Sequence, residues 1–222
     1  MDIFKDKKVC LVLSCDRPYY RKRREQNYKT YMEFQQLGFV VVFLFAGLTD
    51  EAQLSENSDG TFILRVPTLD IYELLSHKME LAYKFFSPLG CSGILKIDDD
   101  IKILDSTLLE MVYLDYLDNC DYFGISIGNS ANIPKNYPLS IKKYSLNLFK
   151  SLRQIDTNIP YAGGPFYWVS SKTIEHIAKD GLEFVYEDLS VGNVVKNHPE
   201  LKVIFNDSLY HKVIDWDNES ET

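Results

Sequence analysis

Short apolar runs separated by longer stretches of helical or polar character set the strongest limit on the fold. Lys8 to Leu13 (KVCLVL), Phe39 to Phe45, Phe62 to Val66 and Gly93 to Ile97 (GILKI) are brief and largely apolar, rich in β-branched and aromatic residues, as buried strands are. Between them, Tyr20 to Leu37 is amphipathic and stops at Gly38. Tyr72 to Phe86 places Leu74, Leu75, Met79, Leu81, Ala82 and Phe85 at helical spacing. The polar stretch Leu48 to Gly60 ends in an Asp59-Gly60 turn. The second half continues with a helix over Leu108 to Leu117, strands at Tyr122 to Ile127 and Phe166 to Val169, and helices at Lys172 to Ala178 and Asp188 to Lys196. A last strand follows at Lys202 to Phe205. Strands that alternate with helices predict an α/β domain with a mostly parallel central sheet flanked by helices. The 222 residues suit one such domain over 1–222, with no repeat and no linker.

Two segments fall outside this alternation. Asn129 to Asn158 is polar, basic and tyrosine-rich, too long for a plain connection, and is expected to be a substrate-facing loop. The acidic residues 215–222 are expected to be a disordered tail.

The net charge of −8 argues against nucleic acid or an anionic membrane as partner, since both select a basic footprint. It leaves phosphate ligands open, because a divalent cation can present phosphates to acidic side chains. The longest apolar run, Phe39 to Ala46, is too short to span a bilayer, and Met1 to Lys8 lacks a signal-peptide core. The expectation is a soluble cytoplasmic chain without a membrane anchor, in a setting such as a viral protein in host cytoplasm. Cys10, Cys15, Cys91 and Cys120 show no C-x-x-C spacing and read as reduced thiols.

The apolar strand Gly93 to Ile97 runs straight into Asp98-Asp99-Asp100. In an extended strand Asp98 and Asp100 share a face and Asp99 points away. Adjacent carboxylates repel one another unless something positive sits among them. They stand at the C-terminal end of a strand, where open α/β sheets bind ligands. Hard oxygen donors suit Mn²⁺ or Mg²⁺. The plain alternative is a solvated acidic turn capping the next helix, and the triplet alone does not separate sugar transfer from nucleotidyl transfer.

Several segments together resemble glycosyltransferase family 31, the β-1,3-galactosyltransferase and Fringe group. The family's "LKTDDDV" is matched by Leu95-Lys96-Ile97-Asp98-Asp99-Asp100-Ile101, and its "D-x-Y-x-N-L-T-L-K-T" by Asp70 to Met79, which keeps Asp70, Tyr72, Leu75 and Lys78. "R-R-x-A-I-R-x-T-W" is matched by Arg23 to Tyr31, with Tyr28 in place of the third arginine. "Y-C-S-G-G-G-Y-V-L-S" is matched by Tyr161 to Ser170, where Pro165 and Phe166 replace glycines. "E-D-V-Y-V-G" is matched by Glu187 to Gly192. The five matches come in the family's order and span most of the chain. The resemblance implies a single GT-A-type (Rossmann-like) domain and an inverting, metal-dependent transfer of a hexose-type sugar from a UDP-sugar to a glycan or other hydroxyl acceptor.

It also implies roles. Asp98 and Asp100 are expected metal ligands for Mn²⁺ or Mg²⁺, with His211, beyond the last strand, as a third. Asp99 is expected to contact the donor's ribose or sugar, although which of the three aspartates touches the ion is left open. Asp188 is the expected general base on the acceptor hydroxyl, with Glu187 tuning the pocket; an acidic helix start is the plain alternative for both. Arg23, Arg24 and Lys78 are candidates for the donor's phosphates or uracil, although a charge run such as Arg21 to Arg24 is commonly a solvated face. Gly163 and Gly164 would let backbone approach a sugar closely. Tyr161, Tyr167 and Trp168 are placed against sugar rings or else in the core. His77, His176 and His198 read as ordinary helix or loop positions. Two other readings stay open: a catalytically inactive nucleotide-sugar-binding module, and a nucleotidyltransferase of similar architecture. The latter lacks a glycine-rich signature between Ser14 and Arg24.

Overall fold

The computed structural model describes residues 2–129 and 158–216, so residues 130–157 of the expected loop and 217–222 of the expected tail lie outside the described residues. In chain order the strands are β1 (Lys8–Leu13), β2 (Val40–Gly47), β3 (Gln53–Glu56), β4 (Phe62–Pro67), β5 (Gly93–Asp98), β6 (Ile101–Ile103), β7 (Tyr122–Gly124), β8 (Ile127–Asn129), β9 (Pro160–Ala162), β10 (Phe166–Ser170), β11 (Val203–Phe205) and β12 (Ile214–Trp216). The helices are α1 (Pro18–Gln26), α2 (Tyr28–Gln36), α3 (Leu75–Phe86), α4 (Ser106–Val112), α5 (Ser171–Asp180), α6 (Glu187–Asn197) and α7 (Tyr210–Val213).

Eight strands form one sheet in the order β11-β7-β10-β5-β1-β2-β4-β3. Pairing is parallel except where β10 meets β5 and β7 and where β3 meets β4. The expected mostly parallel α/β sheet is therefore what the chain forms. Side chains of β1 alternate between two cores, as the period of two requires. Val9, Leu11 and Leu13 join the core that also holds Met79 and Phe86 of α3, Ile174 of α5 and Val191 of α6. Cys10 and Val12 join the core that holds Tyr31 and Phe34 of α2 and Leu109 of α4. The sheet is thus covered on both faces, which is why its strands read as continuous apolar runs.

The chain builds β1, β2 and β4 outward in one direction and then returns to lay β5 on the other side of β1, with Leu13 opposite Asp98. That reversal opens a crevice at the carboxyl ends of β1 and β5, the place where open α/β sheets take ligands. Ser14 and the aspartate triplet both stand there.

Local departures from the expected elements have physical causes. The single helix expected over Tyr20 to Leu37 is two helices broken at Asn27, whose φ of −96° and ψ of 12° leave helical geometry. Its buried side-chain amide donates to the Asp99 carbonyl at 3.0 Å, a bond a continuous helix would not place. The polar stretch before Gly60 contains β3, an edge strand that no apolar alternation announces. The strand expected over Tyr122 to Ile127 is divided into β7 and β8, and β8 pairs with β9 outside the main sheet. No helix among the described residues is long and apolar enough to cross a membrane.

Candidate functional site

Strand β5 ends at Asp98, and Asp99-Asp100 form a turn before β6. The expectation that Asp98 and Asp100 share a strand face is corrected by that turn, and the two meet different cations. Asp98 stays on the face of Lys96, two residues back, and accepts from its Nζ at 2.6 Å. Asp100 pairs with Arg23. Asp99 turns inward, 3% exposed, and accepts from the Ser14 hydroxyl at 2.5 Å.

Around Asp99 lies a set of cations drawn from α1 and α3. Arg23 Nη1 stands 3.7 Å from Asp99 Oδ1. Arg24 donates to Ser14 Oγ at 2.6 Å and to the Cys15 carbonyl at 2.7 Å, with its guanidinium over the Phe45 ring. Lys78 donates to the Ser14 carbonyl at 2.5 Å and to Asp70 at 2.6 Å. Tyr31 donates to the Asp99 carbonyl at 3.0 Å. Burial pushes the Asp99 carboxyl up to about 6, with Asp100 and Asp98 adding to it, although Ser14 and Arg23 pull the other way. Asp100 is likewise raised, by burial first and then by Asp98.

Lys78 is 2% exposed and its ammonium is taken by Asp70 and Ser14. A direct contact with a donor is therefore corrected to a positioning role: Lys78 holds the turn that carries Ser14. The motif pair Asp70 and Lys78 is an ion pair, and Arg17 fastens the same segment by donating to the Asp70 carbonyl at 3.1 Å.

A second carboxylate group lies on the α6 side. Lys96 Nζ, buried under α6, bonds Asp98, the Gly164 carbonyl at 2.5 Å and Glu187 at 2.9 Å. Glu187 also accepts from the Tyr167 hydroxyl at 2.6 Å, and Tyr167 meets the Tyr83 hydroxyl at 2.9 Å. Burial pushes Glu187 up to about 7 even with Lys96 beside it. Burial opposes the charge on Lys96, but Asp98 and Glu187 outweigh it and hold its pKa above the usual lysine value. Asp188 is half-buried and raised by the same desolvation. Its Oδ2 accepts from the Gly164 N–H at 3.1 Å and its Oδ1 from the Leu189 N–H at 2.7 Å.

The glycine segment borders this group. A Cβ on Gly164 would stand 3.4 Å from Glu187 Oε1, 3.5 Å from Asp188 Oδ2 and 3.8 Å from Lys96 Nζ. Gly163 donates to the Ser126 carbonyl at 2.7 Å, and a Cβ there would reach 2.9 Å from Ser126 Oγ. Tyr161 is half-buried on β9, packs against Gly128 and Gly192, and feels the charge of Asp188.

Three expected site residues are placed elsewhere. Trp168 is 1% exposed in the core, its ring so close to Gly93 that a Cβ there would lie 2.3 Å away, and it cannot stack on a sugar. Strand alternation turns Trp168 to the α2/α4 face and Tyr167 to the α6 face. Glu187, at 3% exposure, belongs beneath the site and not in an acceptor pocket. His211 sits exposed on α7 with its ring against Tyr210. The β6–β12 pairing puts Trp216 opposite Ile101, which leaves His211 several residues up the chain beside α4. Among the described residues, the three-residue group of metal-ligating type with all ligand atoms within 4.8 Å is His176, His198 and Glu200, so His211 does not join Asp98 and Asp100 at that range.

Lys96, Ser14 and Asp70 form the site's internal frame and were not singled out for that role in the sequence. Lys96 carried a usable signal: a lysine in the apolar run Gly93 to Ile97 is buried on either face of a covered sheet and so needs a carboxylate partner. Comparison of the sequence with protein-family models and with curated proteins yields no match.

Proposed function

We propose that this chain is a metal-dependent inverting glycosyltransferase that moves a hexose-type sugar from a UDP-sugar to a glycan or other hydroxyl acceptor. The observation that carries the reading is the junction made by Asp98-Asp99-Asp100. On one side it meets Arg23, Arg24 and Ser14; on the other it meets Lys96, Gly164 and the Glu187-Asp188 helix start. A diphosphate fits the first side and an acceptor hydroxyl the second, with the sugar between. The ordered resemblance to family 31 supports the same division.

Mn²⁺ or Mg²⁺ fits the donor set. Asp98 and Asp100 offer hard oxygens at 33% and 22% side-chain exposure. Three consecutive carboxylates repel one another, and a divalent ion would add to the neutralisation that Lys96 and Arg23 supply. When bound, the ion neutralises charge developing on the departing diphosphate. Arg23 binds and orients the donor's phosphates, while Arg24 and Lys78 keep the Ser14 turn and Asp99 in place. Gly164 leaves room above Asp188 and fixes its Oδ2 through the backbone N–H. Asp188, half-buried and raised, is suited to take a proton from an acceptor hydroxyl.

Titration calorimetry with UDP in Mn²⁺ tests the donor side, followed by a screen of UDP-sugars for Mn²⁺-dependent hydrolysis. UDP is expected to bind with Mn²⁺ present and GDP much more weakly. Equal binding of the two refutes the uridine assignment, and full turnover in excess EDTA refutes the metal.

A further inference from the structure

We propose a second, independent metal site, for a zinc-class divalent ion, formed by His176 Nε2, His198 Nδ1 and Glu200 Oε1. His176 belongs to α5, His198 follows the last residue of α6, and Glu200 lies in the connection to β11. Their ligand atoms all fall within 4.8 Å of one another. Glu200 Oε1 is 3.2 Å from His176 Nε2 and 3.4 Å from His198 Nδ1. Ligands held about 2.0–2.1 Å from a tetrahedral zinc ion stand about 3.3 Å apart, so these separations match the edges of such a site.

The Asp180 carboxylate supplies the second argument. It meets His198 Nε2 at 2.6 Å and so holds the ring with Nδ1 turned toward Glu200. A metal-bound histidine whose other nitrogen is held by a carboxylate is the usual support for such a ligand. Lys172 steadies Glu200 further by donating to its carbonyl at 3.3 Å.

The ligand chemistry selects the ion. Two imidazoles and one carboxylate favour zinc, nickel or copper over magnesium, which takes oxygen ligands. The side chains of His176 and His198 keep 23% and 21% exposure and that of Glu200 50%, so an ion can enter from solvent, and binding opens the two rings beyond their present 29°. The site lies a helix length, about 16 Å, from the Glu187 end of α6. It would clamp α5 to the far end of the helix that carries Glu187 and Asp188.

The test is a Zn²⁺ titration of the chelator-stripped full chain by calorimetry and thermal melting, with Mg²⁺ alongside. The chain should take up one equivalent of zinc that His176→Ala and Glu200→Gln lose or bind at least tenfold more weakly. Asp180→Asn, which keeps all three ligands, should weaken binding roughly 10–100-fold. At free zinc a hundred times the dissociation constant, the melting temperature should rise by about 5–10 °C in the parent and much less in the variants. If His176→Ala does not fold, the half-exposed Glu200→Gln decides alone. Absence of zinc binding, an unchanged isotherm in the variants, or a Mg²⁺ response that His176→Ala and Glu200→Gln lose to the same extent overturns the assignment.

Discussion

Lys96 Nζ stands 2.9 Å from Glu187 Oε1, with their side chains at 1% and 4% exposure, and the pair fastens the start of α6 to the centre of the sheet. Removing Lys96 leaves the buried Glu187 carboxyl without its cation, whereas Lys96 keeps Asp98 when Glu187 is removed. Lys96→Met is therefore expected to cost about 3–5 kcal/mol. Lys96→Met combined with Glu187→Gln should recover a large part of that loss, because no buried carboxylate at Glu187 is then left uncompensated. Urea unfolding of the two single variants and the double variant checks this. Strictly additive costs would show that the two residues are not coupled.

The raised carboxyl of Glu187 gives a pH dependence with a definite sign. Burial moves it from the ordinary 4.5 to about 7, so between those values the folded chain holds a proton that the unfolded chain has released. Stability must then fall as pH rises across that window, and level off above it. Relative to wild type, Glu187→Gln should show a flatter profile from pH 5 to 7.5, the difference being on the order of 1–3 kcal/mol. Denaturant midpoints at several pH values measure it, and parallel profiles would refute the shift.

Gly192 belongs to the segment matched to the family's "E-D" motif, and its reason is packing. A Cβ there would lie 2.5 Å from Tyr161 Cβ and 2.9 Å from the Pro160 carbonyl, on a helix pressed against β9. The carbonyl is backbone and cannot swing aside. Gly192→Ala should destabilise by about 1–3 kcal/mol, seen as a lower melting temperature. An unchanged melting temperature would mean that α6 and β9 can separate without cost.

The fold was legible where burial follows a simple period. Apolar runs such as Lys8 to Leu13 and Phe166 to Val169 are strands because both sheet faces are covered, and amphipathic runs such as Lys172 to Ala178 are helices that cover them. What was illegible depends on partners distant in sequence. The break at Asn27 answers to the Asp99 carbonyl, and β3 exists because β4 offers an edge. In the site, the acidic triplet was legible as charge that needs compensation. Of its compensators, Lys96 stands two residues before Asp98 on the same strand and carried a signal, whereas Arg23 and Ser14 come from parts of the chain distant in sequence and did not. Trp168 and Tyr167 differ only in which sheet face they occupy, and strand alternation settles this once β10 is docked beside β5.

Asp100 pairs with Arg23, so its removal tests metal and phosphate roles together. Asp100→Ala should leave the fold intact, because Arg23 keeps Asp99 at 3.7 Å and the carboxyl lost is half-buried and raised. Mn²⁺-dependent UDP binding should fall by at least tenfold and sugar transfer should be abolished. Calorimetry and a transfer assay check both, and an Asp100→Ala chain that still requires Mn²⁺ with unaltered affinity would show that other residues hold the ion.

Asp188 separates chemistry from binding. Its Oδ2 is held by the Gly164 N–H and its Oδ1 by the Leu189 N–H, and the single amide oxygen of asparagine can accept one of the two. Asp188→Asn therefore keeps size and one of the two backbone contacts while removing the proton acceptor. A helix-start aspartate with no further role would cost at most about 0.5–2 kcal/mol and leave turnover unaffected. A general base would leave the melting temperature and UDP affinity near normal and lower transfer by roughly 10²–10⁴-fold. The second pattern is expected. Glu187 cannot take over, since its carboxyl is 3% exposed and already bound to Lys96 and Tyr167. Transfer at close to the wild-type rate by Asp188→Asn, measured alongside unchanged melting, would remove the base from this residue and turn the search to residues beyond the helix start.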